Sequence, residues 1–147
     1  MSARDRALRG LAAFVFAACG GALWLGGAGS LQAAQRIEAL SQGRGAPAPF
    51  VCSFRQQTGH PCLGCGGTEA FGEASRGHWT AAAAANPLGA FTGLAAWVLA
   101  AASLLTLTGA GPGWLWRVGV LTLALLPVAF VVNAVVWWES LPPGALR

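Results

Sequence analysis

Three of the chain's four cysteines, Cys52, Cys62 and Cys65, fall within fourteen residues. Cys62-Leu63-Gly64-Cys65 has the spacing at which two thiols close a disulfide or hold one metal ion together. Cys52 adds a third sulfur ten residues earlier, and His60 an imidazole nitrogen two residues before Cys62. Cys52, His60, Cys62 and Cys65 therefore make a candidate Cys3His tetrahedral set, suited to zinc or iron. The second CxxC of the usual zinc pattern is missing, and without a CxxCH there is no signature for covalent haem. A second reading is structural: a Cys62–Cys65 disulfide pinning a surface loop in an oxidising compartment. A third is working thiol chemistry, with Cys52 as resolving thiol. Cys65 precedes a predicted helix start, where backbone amides and the helix dipole favour a thiolate. Glycines at 64, 66 and 67 let the backbone curl around a sulfur or an anion.

Other chemistry-bearing residues have plainer readings. Cys19 lies inside an apolar run and reads as an inert packing residue. His78 beside Trp79 reads as interfacial. Glu69 and Glu73, four apart on one helical face, serve a helix start, with Arg76 near enough to neutralise Glu73. Asn133 stands in an apolar stretch and needs a partner inside the bundle. No Ser-His-Asp order, phosphate loop or HExxH is present, so the cysteine stretch alone is left to suggest an enzyme, and a non-enzymatic role is the first expectation.

These residues must be positioned by a membrane protein. Of the 147 residues, 55% are hydrophobic and only 10% charged, against about 25% charged in soluble domains. A water-facing surface cannot be built from such a chain, and a mean hydropathy of +0.56 agrees. The expected fold is a single-domain, all-α integral membrane protein of three transmembrane helices. A cysteine-bearing loop with short interfacial helices joins the first span to the second.

Residues 1–10 form a basic N-terminus. Residues 11–28 are an uncharged run of spanning length, read as a retained helix against the alternative of a cleaved signal peptide. Its small residues, Ala13, Ala17 and Gly21 or Ala18, Ala22 and Gly26, form stripes that let another helix approach. Residues 29–87 are the cysteine-bearing segment. In it, Leu31–Leu40 is expected as a short surface helix broken by Gln42–Pro49. Thr68 is expected to cap a helix running to about Arg76 and ended by Gly77, and a second short helix spans His78–Ala85. Asn86-Pro87 re-aims the chain. Residues 88–108 are the second span, with Gly89 and Gly93 as a packing face. Residues 118–138 are the third, carrying Pro127, a predicted kink, and Asn133. Trp114 and Trp116 are interface anchors.

The net charge of +4 comes from arginine alone. The arginines are scattered, and no nucleic-acid-binding patch results. Arg4, Arg6 and Arg9 before the first span and Arg117 after the second favour a cytoplasmic N-terminus. Arg36, Arg44, Arg55, Arg76 and Arg147 make the opposing count, of which the first four are diluted over a long connection. The cysteine segment is then extracytoplasmic and the protein a multi-pass component of the cytoplasmic (inner) membrane.

Cys52, Phe54, Thr58, Gly59, Pro61, Cys62, Gly64, Cys65, Gly66 and Thr68 form a pattern. It continues with Arg76, Gly77, Trp79, the alanines 81–85 and Asn86-Pro87-Leu88. This stretch resembles the small bacterial membrane proteins called domain of unknown function 2752. The resemblance implies a membrane protein with this cysteine motif and no stated activity. The family usually has Thr-Arg-Ala where this chain has Thr68-Glu69-Ala70, and an apolar residue at His60. The set the resemblance implies as shared is thus the three sulfurs. Two functions are expected from these observations. The first is a non-enzymatic accessory or interaction component, its cysteine segment a rigid docking element and its small-residue faces meeting other membrane proteins or a second copy. The alternative is a membrane thiol-redox or metal-binding protein using Cys52, Cys62 and Cys65.

Overall fold

The computed structural model of the chain describes residues 3–41, 57, 58, 60, 62–109 and 113–141, with the first helix's side chains described over 4–29. Cys52, Arg44, Arg55, Arg147 and the Gln42–Pro49 breaker lie outside the described residues. The elements are α1 (Ala3–Ser41), α2 (Gly67–Ser75), α3 (Trp79–Ala85), α4 (Pro87–Leu107) and α5 (Gly113–Glu139). Among the described residues there is no strand. Three helices, Arg4–Gly29 within α1, all of α4 and all of α5, are long and apolar enough to cross a membrane. The chain is an all-α, multi-pass membrane protein.

Two local expectations are corrected. Leu31–Leu40 is not a separate helix, because α1 runs unbroken to Ser41. Gln32 to Leu40 is rich in good helix formers, and no proline interrupts before Pro47. At 1.5 Å per residue its 39 residues reach about 58 Å, well beyond the roughly 30 Å hydrocarbon core. Thr68 does not cap α2, which starts one residue earlier, with Gly66 in the cap position and no side-chain cap bond. The turn before it already winds helically, with Cys65 N–H donating to Cys62 O and Gly67 N–H to Gly64 O, so Thr68 falls inside the first turn. Gly77 does end this region in the left-handed conformation, at φ 82°.

The core is built from small residues. Ala12, Ala70, Ala74, Ala82, Ala96, Ala100 and Ala102 are buried, with Leu23 the one large apolar side chain among the buried residues. Backbones must therefore approach closely, as in membrane helix pairs generally. Gly93 lies on Ala74. A Cβ on Gly89 would sit 2.6 Å from Gly67 O, and one on Gly26 would sit 2.6 Å from the Phe71 ring. The expected Gly89–Gly93 packing face is real, and its occupant is α2 of the same chain. Trp97 Nε1 of α4 donates to Ala74 O at 3.2 Å and fixes the far end of α2. Buried Ser103 and Thr106 donate within α4, to Leu99 O and Ala102 O. α5 is different: its single buried residue is Asn133. Helix α5 runs on through Pro127 to Glu139.

Candidate functional site: a clamped cysteine turn

Asn86 is the junction from which the site is built. Its backbone is extended, at φ −167° and ψ 115°, as a residue before proline prefers. It caps α4: its side-chain Oδ1 accepts from Gly89 N–H at 2.8 Å, and Pro87 takes the first helical position, where a missing N–H costs nothing. That leaves the Asn86 amide nitrogen facing the cysteine turn. Nδ2 donates to Leu63 O at 3.2 Å and to Cys65 O at 3.1 Å.

Asn133 reaches the same turn from α5. Its Nδ2 donates to Leu63 O at 3.0 Å, and its Oδ1 accepts from Leu88 N–H at 3.4 Å. The partner expected for Asn133 inside the bundle is therefore a loop carbonyl and a helix-start amide, not another span's side chain. The Leu63 carbonyl has two lone pairs, and two buried asparagines fill both. Cys62 O and Gly64 O accept from Cys65 N–H and Gly67 N–H. Every carbonyl from Cys62 to Cys65 thus has a donor, although the segment belongs to no helix or sheet. Gly66 completes the turn at φ 80°, and a Cβ there would meet Ala85 O at 2.5 Å.

The clamp leaves the two sulfurs side by side. Cys62 Sγ and Cys65 Sγ are 3.2 Å apart, a hydrogen-bond separation, against about 2.05 Å in a disulfide. Cys62 N–H points at Cys65 Sγ, at 3.1 Å. Both cysteines are half-buried. With Asn86, Asn133, Trp137 and Ser140 they line a cleft of about 150 Å³, at the end of the bundle where α4 begins and α5 nears its exit.

The remaining candidates are placed as follows. His60 N–H donates to Thr58 Oγ1 at 3.2 Å. Among the described residues no three His, Cys, Asp or Glu side chains gather around a metal-sized point. Cys52 lies outside the described residues. Cys19 is partly exposed in α1, remote in sequence from the turn. Glu73 is engaged by Arg76 in an ion pair and by His78 Nδ1 at 2.8 Å, which makes this group a fastening of the α2–α3 corner.

Residues 52–100 match the family model described as protein of unknown function (DUF2752). Over this third of the chain the sequence is similar to that family. No curated protein and no solved structure matches the chain. The DUF2752 stretch takes in Cys62, Cys65, Gly66 and Asn86, while Asn133 lies beyond it, in α5. Sequence reasoning missed both asparagines as parts of the site. For Asn86 the signal was present, since Asn-Pro before an apolar run is a helix-start signature. For Asn133 only the need for a partner was visible. That partner, the Leu63 carbonyl, is 70 residues away.

Proposed function

We propose that this protein is a membrane thiol–disulfide exchange protein whose working pair is Cys62 and Cys65. The observation that carries the reading is the 3.2 Å separation of two half-buried sulfurs on a cleft, on a turn whose carbonyls are already held. A purely structural disulfide has little left to do there. Closing a four-residue loop stabilises by about 2 kcal/mol in the chain-entropy account, less than a long loop would gain. The accessory reading drew on the small-residue faces of α1 and α4 and on Asn133. Gly26, Gly89, Gly93 and Asn133 make contacts within the chain, whereas a Cβ on Gly21 would meet nothing within 4 Å.

The reaction needs a disulfide-bearing partner. One sulfur of the pair, as thiolate, attacks a sulfur of the partner's disulfide. A mixed disulfide forms, the partner's S–S bond breaks and its other sulfur leaves as thiolate. The second cysteine attacks the mixed disulfide and releases the partner's remaining sulfur. Two electrons pass from the pair to the partner, and the protons of the two thiols end on the partner's sulfurs. The arginine asymmetry of the spans supports a location of this pair on the outer side of a cytoplasmic membrane, a compartment where such exchange is useful.

The test uses the full chain in lipid nanodiscs with oxidised glutathione. The wild type is expected to gain a Cys62–Cys65 disulfide and release two glutathiones. Cys62→Ser and Cys65→Ser are expected to stop at a single glutathione adduct. Thiols that stay unreacted in the folded protein, yet react after denaturation, would overturn the proposal.

A further inference from the structure

α5 exposes apolar side chains along its length, from Leu121 and Leu123 to Val135 and Val136. Its one buried residue is polar, and its amide goes to the carbonyl between the two cysteines. An asparagine in an apolar span is costly to place, and this one divides its amide between the start of α4, where Oδ1 accepts from Leu88 N–H, and the turn, where Nδ2 donates to Leu63 O. Asn86 already caps α4, which would hold α4 without any bond to the turn; its Nδ2 nevertheless makes two bonds to it. Both amides thus converge on the Leu63 carbonyl, and one also takes the Cys65 carbonyl.

We infer that Asn133, with Asn86, is a positioning residue for the thiol pair, holding the Leu63 and Cys65 carbonyls so that the two sulfurs meet, and thereby setting the dithiol–disulfide equilibrium. The inference rests on the thiol-exchange reading. Its physics is proximity. A turn held in one geometry keeps one sulfur at high effective concentration near the other, and loosening the turn lowers that concentration. The disulfide then becomes easier to reduce, while the chemistry of each thiol is untouched. Asn133 is the better handle, because replacing Asn86 also removes a helix cap.

The experiment is a redox titration of the full chain in nanodiscs against a dithiol buffer, with thiol trapping and mass readout, for wild type, Asn133→Leu and Asn133→Gln. Leucine suits an apolar span and removes both bonds. Glutamine keeps an amide but displaces it by one methylene, so a folded variant is available even if leucine is not accepted. Asn133→Leu is expected to lower the equilibrium constant for disulfide formation about tenfold, a rise of about 30 mV in potential. Asn133→Gln should move it the same way by less. Ser103→Ala, which removes a buried hydrogen bond within α4, should lower melting temperature and leave the potential alone. Unchanged potentials in folded Asn133 variants, beside a wild type that titrates reversibly, would overturn the positioning role and leave the exchange function standing. A wild type with no reversible transition would overturn both.

Discussion

At the residue scale, the site depends on atoms that carry no reactive chemistry. Gly66 must adopt φ 80° under the Ala85 carbonyl, whereas Gly77 adopts nearly the same φ, 82°, with open space around it. Alanine at either position costs roughly 1–2 kcal/mol for the left-handed backbone. At Gly66 the steric collision adds to that cost. Gly66→Ala is therefore expected to destabilise clearly more than Gly77→Ala in thermal melts in detergent, and to slow disulfide formation as well. Equal melting temperatures would show that the close approach to Ala85 does not matter. The cysteines themselves were legible in the sequence as a reactive or structural group. What held them was not, because the holding is done by backbone carbonyls. A carbonyl is the same in every residue, so Leu63 gives no sign of its two donors. The metal set built from Cys52, His60, Cys62 and Cys65 followed side-chain types alone. Of its described members, Cys62 and Cys65 meet.

At the scale of elements, short helices do the positioning and long helices provide the frame. Helix α2 is only nine residues long and could not persist alone. It is held because Gly89 and Gly93 of α4 and Gly26 of α1 let it approach. A bulky residue at these points should detach it. Gly93→Leu is expected to separate α2 from α4, free the Ala74 carbonyl from Trp97, and raise the alkylation rate of Cys62 and Cys65 in the folded protein several-fold. An unchanged rate would mean that the cysteine turn stands without α2. The small-residue stripes were visible in the sequence, but their occupant was not. A GxxxG face reads the same whether its partner is a second chain or, as here, a helix some twenty residues earlier. The boundary errors have equally local causes: helix-forming residues carried α1 past Gly29, and a glycine-rich turn started α2 before Thr68.

At the scale of the molecule, α4 and α5 meet the cysteine turn at one end of the bundle, and α1 packs on α2 beside it. α4 starts there, α5 approaches its exit there, and α1 lies against α2 through Gly26 near Phe71 and Ser75. The working end is thus assembled from α4 and α5, with α2 held against α1 behind it. Removing α1 would strip one wall from α2. The outer faces of α4 and α5, with Leu94, Trp97, Leu123, Phe130 and Trp138 exposed, are an apolar surface compatible with contact to lipid. The overall class was readable from composition, because a chain with 10% charged residues has no other solvent to fold in. The convergence of α4 and α5 on one turn was not readable, since it rests on two asparagine amides joining parts of the chain far apart in sequence.

The most direct measurement is the intact mass of the purified full-length protein, taken after mild oxidation and again after reduction, natively and denatured, beside Cys62→Ser. The account predicts a loss of two hydrogens on oxidation, regained on reduction, and absent in Cys62→Ser. A mass indifferent to oxidation would contradict it. So would a native mass heavier by one zinc or iron that is lost on denaturation, which would make the sulfurs ligands and not a working pair.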